Sequence, residues 1–424
     1  MSRRRRKRRQ YPARKTPDPD LQPATCNLQL TTYNLQPTTT MTTPKTRTIL
    51  STHYFLYFGI LGIYLPYFNL YCYHLDFSGF QIGVLSALRT FSTALLPMVW
   101  GMLADKYNIR RPIFIACIIA STAIWSFYLL TTDFKLMLII TALYGIFYAP
   151  IISFLESFSM DLLGKQKSDY GHLRVWGSLS FILVVIGVGR LIDIYSAAII
   201  LVLILGGSIA KSVLSFSMPR VPARKTEQSF SASAKMFLNR RALTFLFCAF
   251  LMLTSHGTYY GFFSIHLEQL GYGGAFIGFA WALAAIAEIS IMVGSARIFS
   301  RFVFEHVLVF SFLMAALRWV ILANAESAGL ILFTQLFHAF SYGSFHIASI
   351  LYIDKLAPPE AKTLGQALNN AATYGLGIMV GFFASGYLFE KIGAPNLFLI
   401  CGALALTGGV LLFMEKAART GIKT

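Results

Sequence analysis

Six charged side chains stand in stretches of this chain that are otherwise apolar: Arg89, Glu156, Arg174, Lys211, Glu288 and Arg318, joined by His53, His256, His338 and His346. The run "FIGFAWALAAIAEISIMVG" (276–294) holds a single carboxylate, Glu288. In hydrocarbon a charge costs about 2.5–3.5 kcal/mol on insertion scales, so such residues usually pair and usually work. A carboxylate can exchange a proton there: desolvation favours the neutral acid, a nearby arginine favours the anion, and a change of neighbours switches between them. Glu288 is thus the candidate proton-coupling residue, facing Arg318, His338 and His346; a permanent Glu288–Arg318 bridge between two helices is the alternative. His338 and His346 are eight apart, so both can lie on one helical face, and imidazole relays protons near neutral pH. No third ligand has suitable spacing, so no metal is expected.

Glu156 precedes Arg174 by eighteen residues across a short loop, and an antiparallel helix pair would bring them face to face. The planar fork of arginine suits a carboxylate, so the pair can exchange partners with a substrate or serve as a structural ion pair. Tyr54, Tyr57, Tyr64 and Tyr67 recur at helical intervals and are candidates for cavity lining or for packing.

The elements that must position these residues follow from composition. Of 424 residues 56% are hydrophobic and 13% charged, with a mean hydropathy of +0.60, whereas an ordinary soluble domain is about 25% charged. This is an all-α, polytopic membrane protein. Apolar runs long enough to cross about 30 Å of hydrocarbon number twelve: 49–72, 80–104, 112–131, 136–162, 172–194, 196–218, 242–265, 274–296, 304–323, 329–352, 364–388 and 395–414.

Lysine and arginine mark the cytoplasmic loops. One set of alternate loops holds Lys106, Arg110 and Arg111, then Lys165 and Lys167, then six basic residues from Arg220 to Arg241, then Arg297 and Arg301, then Lys355 and Lys362; the other offers little beyond Lys135 and Lys391. Both termini are therefore expected in the cytoplasm. The net charge of +18 has the same origin, with eleven Lys/Arg in residues 1–48, and no nucleic-acid-binding signature accompanies it. That tail, with its "RRRRKRR" run and the echo "NLQLTTY … NLQPTTT", offers no apolar periodicity and is expected to be disordered, with Met41 an alternative start. Five cysteines, at 26, 72, 117, 248 and 401, show no paired spacing and read as packing residues.

Six runs precede the polar segment 220–241 and six follow it, giving an N-terminal bundle (49–218), a linker (219–241), a C-terminal bundle (242–414) and a short tail (415–424). A shift of 195 residues lays "IGVLSAL" (82–88) on "IGFAWAL" (277–283), Gly79 on Gly274, Leu75 on Leu270 and Phe68 on Phe263. Parallel repeats of this kind place a substrate site near the midplane, between the halves.

The loop "GMLADKYNIRR" (101–111) resembles the signature loop of the major facilitator superfamily: Gly101, Asp105, Lys106, Arg110 and Arg111 fit its pattern. Asn108 stands where the family usually has a second glycine, and asparagine tolerates a left-handed turn. The resemblance implies that Asp105 meets the N-terminal end of helix 11. The segments "YGHLRVWGSLSF", "HGTYYGFFSIHLEQLGYGGAFIGFAWALAAIAEI", "LRW" and "QLFHAFSYGSFH" are similar to the phenylpropionate permease-like branch, related to lactose permease-type oligosaccharide–proton symporters, over about 50–414. The resemblance implies a twelve-helix fold of two six-helix repeats, Glu156, Arg174, Arg318 and His338 as substrate-binding residues, and Glu288, His338 and His346 as proton-coupling residues.

The function expected is a secondary transporter, not an enzyme: a proton symporter importing a small aromatic carboxylate, monomeric, in a prokaryotic inner membrane and driven by a proton gradient without other cofactor. A sugar or nucleoside symporter is the alternative within that class, and a membrane-embedded enzyme, receptor or channel the alternative outside it. No nucleotide-binding glycine loop is present, and the loops are too short for a soluble catalytic core.

Overall fold

The computed structural model describes residues 43–164, 166, 169–220, 239–358 and 361–420, and every regular element among them is helical. The basic tail as far as residue 42, the alternative start, Lys165, Lys167 and residues 221–238 of the linker lie outside the described residues.

Twelve crossings follow in chain order: α1 (Pro44–His74), α2 (Gly79–Tyr107), α3 (Arg110–Leu129), α4 (Phe134–Leu163), α5 (Tyr170–Ile194), α6 (Ile199–Ser215), α7 (Arg240–Gln269), α8 (Gly274–Phe299), α9 (Phe304–Ala323), α10 (328–356), α11 (362–392) and α12 (394–420). Nine stretches among the described residues are long and apolar enough by themselves to span. The count reaches twelve because α6 is short, α10 is interrupted, and α11 and α12 run together except at Gly393, whose φ of 73° only glycine adopts freely. The ends obey local chemistry. Ser78 and Gln81 form a reciprocal capping box on α2, and Asp133 and Asn239 cap α4 and α7. Asn108 takes the left-handed conformation (φ 54°) that ends α2, so asparagine substitutes for glycine there.

Packing repeats with the sequence. In the first half α1 lies on α5 and α6, α2 on α4, and α3 on α6; six helices later α7 lies on α11 and α12, α8 on α10, and α9 on α12. The halves touch chiefly where α2 crosses α11 and α5 crosses α8. A Cβ on Gly83 would come within 2.7 Å of the Phe382 carbonyl, and one on Gly278 within 2.4 Å of the Val185 carbonyl. Those two glycines are the repeat-related pair, so the echo in the sequence marks one close backbone approach at each of the two crossings between the halves. Tyr67 adds a hydrogen bond from its hydroxyl to the Val185 carbonyl at 2.7 Å, and Asn69 one to the Gly261 carbonyl at 3.0 Å. These contacts lie from the middle of the bundle toward the face opposite the ends of the described chain, here termed the outer face. Large apolar side chains cover the perimeter, Val293 being 82% exposed, a surface suited to lipid and not to water.

Candidate functional site

A cavity of about 520 Å³ lies between the halves. Its walls come from the middle of α1 and α7, the inner ends of α4 and α5, and the middle and inner portions of α8 and α10. Glu156, Arg174, Glu288, His338 and His346 all line it, so five of the six candidate site residues drawn from the apolar runs converge on one space.

On the first wall, Arg174 lays its guanidinium 3.7 Å from the centre of the Phe58 ring. Gly177, one turn away, leaves the room for this stack: a Cβ there would lie 2.5 Å from Phe58 Cδ2 and 3.1 Å from Arg174 Nη1. Glu156 is within electrostatic reach of Arg174 and of the Tyr170 hydroxyl, without a direct ion pair to the arginine. The expected face-to-face bridge is therefore open, and the planar fork of Arg174 stays available to another acceptor.

The second wall is held by a polar chain. Arg318 is fully buried, sandwiched between Tyr259 (4.3 Å) and Trp319 (4.6 Å). Its Nη2 donates to Gln335 Oε1 at 3.1 Å, which also accepts from the Tyr259 hydroxyl at 2.9 Å. Nη1 lies 2.8 Å from His338 Nδ1; since arginine can only donate, that nitrogen accepts, and the ring proton belongs on Nε2. His338 Nε2 is 3.6 Å from Glu288 Oε2, longer than a hydrogen bond but close enough to interact. The Glu288–Arg318 bridge expected as the alternative is thus replaced by Glu288–His338–Arg318. Arg318 itself does not line the cavity in this conformation, whereas its neighbours Tyr259 and His338 do.

α10 departs from a regular helix at this place. A wide π-helical turn covers Ala339–Ser344; such turns recur at functional sites. By using up an extra residue it brings positions eight apart back into line, and Tyr342 stacks parallel to both His338 (4.9 Å, 4°) and His346 (6.0 Å, 4°). His346 Nδ1 and the Tyr374 hydroxyl share a hydrogen bond of 2.7 Å, the tyrosine coming from a second wide turn, Ala371–Gly377, in α11. Gly343 faces Glu288, and a Cβ there would make ordinary contact with Glu288 Cγ at 3.4 Å.

Sequence reasoning missed Gln335, Tyr259, Tyr260, Trp281 and Tyr342 as members of the site; aromatic residues in an apolar run carry no signal that separates wall from core. Among the span-1 tyrosines, none lines the cavity: Tyr57 stacks on Tyr148, Tyr64 lies under Arg89, and Phe58, Leu61 and Leu65 take the cavity face. Arg89 and Lys211 are absorbed into the first half, against Tyr64 (4.0 Å) and Tyr148 (4.9 Å). In the signature loop, Arg110 Nη1 pairs with Asp161 at 2.9 Å, and Asp105 lies 3.9 Å from Arg110 with its side chain 49% exposed. Among the described residues, the charged neighbour of Asp105 is thus Arg110.

A sequence profile described as the MFS_1 like family matches residues 47–400. The "Probable 3-phenylpropionic acid transporter" of Escherichia coli (strain K12) is 25% identical over 367 residues, 84% of this chain and 94% of that protein. The "Maltose permease" of Geobacillus stearothermophilus is 27% identical over 382 residues, 88% of this chain and 96% of its own length. Among solved structures, the nucleoside transporter NupG superposes with a TM-score of 0.78 at 19% identity, covering 87% of this chain and 98% of that one.

Proposed function

The chain belongs to the MFS_1 like family of the major facilitator superfamily and is an integral-membrane secondary transporter; from that premise we propose that it is a proton symporter importing a small aromatic carboxylate by alternating access. The observation that carries this reading is Arg174: a cavity-lining guanidinium stacked on Phe58, with no carboxylate in direct contact. A substrate carboxylate takes its fork in the bidentate manner arginine favours. The ring of the substrate then lies toward Tyr259, Tyr260, Trp281 and Tyr342 on the opposite wall, where aromatic surfaces supply area and offset stacking.

Charge in the apolar runs supports an anion. Arg89, Arg174, Lys211 and Arg318 outnumber Glu156 and Glu288, so an entering anion reduces the imbalance. Glu288 is the proton-carrying group: it lines the cavity and interacts with Arg174 across it. His338 is its positioning residue, because Arg318 occupies Nδ1 and leaves only the Nε2 side for exchange with Glu288.

The basic loops lie on the face toward which the cavity extends, and that face is the cytoplasmic one by the distribution of lysine and arginine. The conformation described is then the inward-open one, in a prokaryotic inner membrane, with both termini inside and a single chain as the working unit. Glu156 favours a second reading, a sugar or nucleoside symporter, since a carboxylate lining the cavity can accept hydrogen bonds from substrate hydroxyls.

The test is uptake of labelled 3-phenylpropionate into proteoliposomes with and without an inward proton gradient. Accumulation only with the gradient is expected; no uptake of the acid, together with gradient-driven uptake of maltose or a nucleoside, would move the assignment to the second reading.

A further inference from the structure

Two carboxylates at the outer face cross from one half to the other and end on a helix start. Asp193, at the end of α5, accepts from the backbone N–H of Gly274 (2.6 Å) and of Ala275 (2.9 Å), the first residues of α8. Glu390, near the end of α11, accepts from the N–H of Gly79 (2.9 Å), the first residue of α2. Gly79 and Gly274 are the positions that the 195-residue shift superimposes, and α5 and α11 are likewise counterparts, so one contact recurs in each half. Helix starts expose unpaired N–H groups and a partial positive charge, which a carboxylate satisfies.

The two contacts differ in one respect. α2 caps itself through Ser78 and Gln81, whereas the residue before α8 is Gly273, which supplies no side-chain cap. The cap of α8 comes from the other half. Close approach is built in as well: a Cβ on Gly273 would lie 2.8 Å from Asp193 Oδ1. A third link, His74 Nε2 to Glu268 Oε1 at 2.6 Å, joins the ends of α1 and α7 on the same face.

We propose that Asp193 and Glu390 form the latch of the outer face, each holding the halves together by capping the first turn of a helix in the opposite half, and that both caps break when this face opens. The inference rests on the alternating-access reading above, though on no choice of substrate. Asp193 is the stronger arm, because α8 has no cap of its own to fall back on.

The experiment is a distance measurement by pulsed electron paramagnetic resonance on the full chain in liposomes, without substrate. Spin labels are placed at Thr132→Cys and Glu326→Cys, in the outer loops of the two halves, with Cys26→Ser; the other four cysteines are buried. Asp193→Asn is expected to raise the long-distance population about tenfold, Glu390→Gln less, and the double variant most. Asp193→Glu keeps the charge and is expected to stay near the parent distribution. An unchanged distribution in the double variant would overturn the proposal. So would restoration of the parent distribution by Gly273→Ser in the Asp193→Asn background, since a local cap would then suffice. Glu390→Gln keeps the test decisive if Asp193→Asn fails to fold, because α2 retains its own capping box. Failure of uptake with a normal shift in distances would count against the substrate assignment and not against the latch.

Discussion

Glu288 reaches Arg318 only through an imidazole: its Oε2 lies 3.6 Å from His338 Nε2, and His338 Nδ1 lies 2.8 Å from Arg318 Nη1. A direct bridge would leave the carboxylate locked in place by a permanent cation, whereas this arrangement leaves Glu288 at the cavity wall with one oxygen turned to a weakly held neighbour. Glu288→Gln removes the exchangeable proton while keeping shape. Gradient-driven accumulation is expected to vanish while substrate counterflow across the same liposomes persists; retained accumulation against the gradient would exclude the coupling role.

Gln335 holds the layer behind the wall. Its single Oε1 accepts from both Arg318 and Tyr259, so Gln335→Leu leaves two buried donors unmet. Each such loss costs roughly 1–3 kcal/mol. The thermal midpoint in detergent should drop clearly, and uptake should slow even in the variants that remain folded, because Arg318 no longer orients His338.

Arg174 is expected to set affinity. Arg174→Lys keeps the charge but loses the planar stack on Phe58 and the bidentate fork. KM for the carboxylate substrate should rise about tenfold or more with a smaller change in maximal rate, read from initial uptake rates over a range of concentrations.

Gly278 and Gly101 make a matched pair of tests. A Cβ at Gly278 would meet the Val185 carbonyl at 2.4 Å, while nothing lies within 4 Å of one at Gly101. Gly278→Ala should abolish uptake in protein that still elutes as a monodisperse species, since the outer face can no longer close. Gly101→Ala should stay within about twofold of the parent.

Glu305 gathers Arg241 (3.0 Å), Arg419 (3.3 Å) and Lys355 (3.9 Å) at the inner ends of α7, α12 and α10. The first half holds the charge-reversed counterpart, Arg110 with Asp161 at 2.9 Å, at nearly the positions the repeat predicts. The partners of Glu305 are partly exposed, so Glu305→Gln should cost only on the order of 1 kcal/mol, visible as a lowered thermal midpoint that high salt diminishes in the parent as well.

The sequence by itself determined the number of crossings, their approximate ends, the two halves and the short inventory of charges that hydrocarbon makes expensive. These are properties of single segments: hydropathy over about 20 residues decides whether a stretch spans, and capping side chains such as Ser78 and Asp133 act within one turn of the helix they start. The repeat went further, because Gly83 and Gly278 mark contacts that only close backbone approach explains. Tertiary structure alone decided which charges share a space. Arg318 and Arg174 look alike in the chain, yet one is sealed behind Tyr259 and the other lines the cavity. The wide turn at Ala339–Ser344, which aligns His338, Tyr342 and His346, leaves no mark in hydropathy. Distances between side chains on different helices depend on how those helices cross and rotate, and crossing is a property of pairs that no single segment encodes.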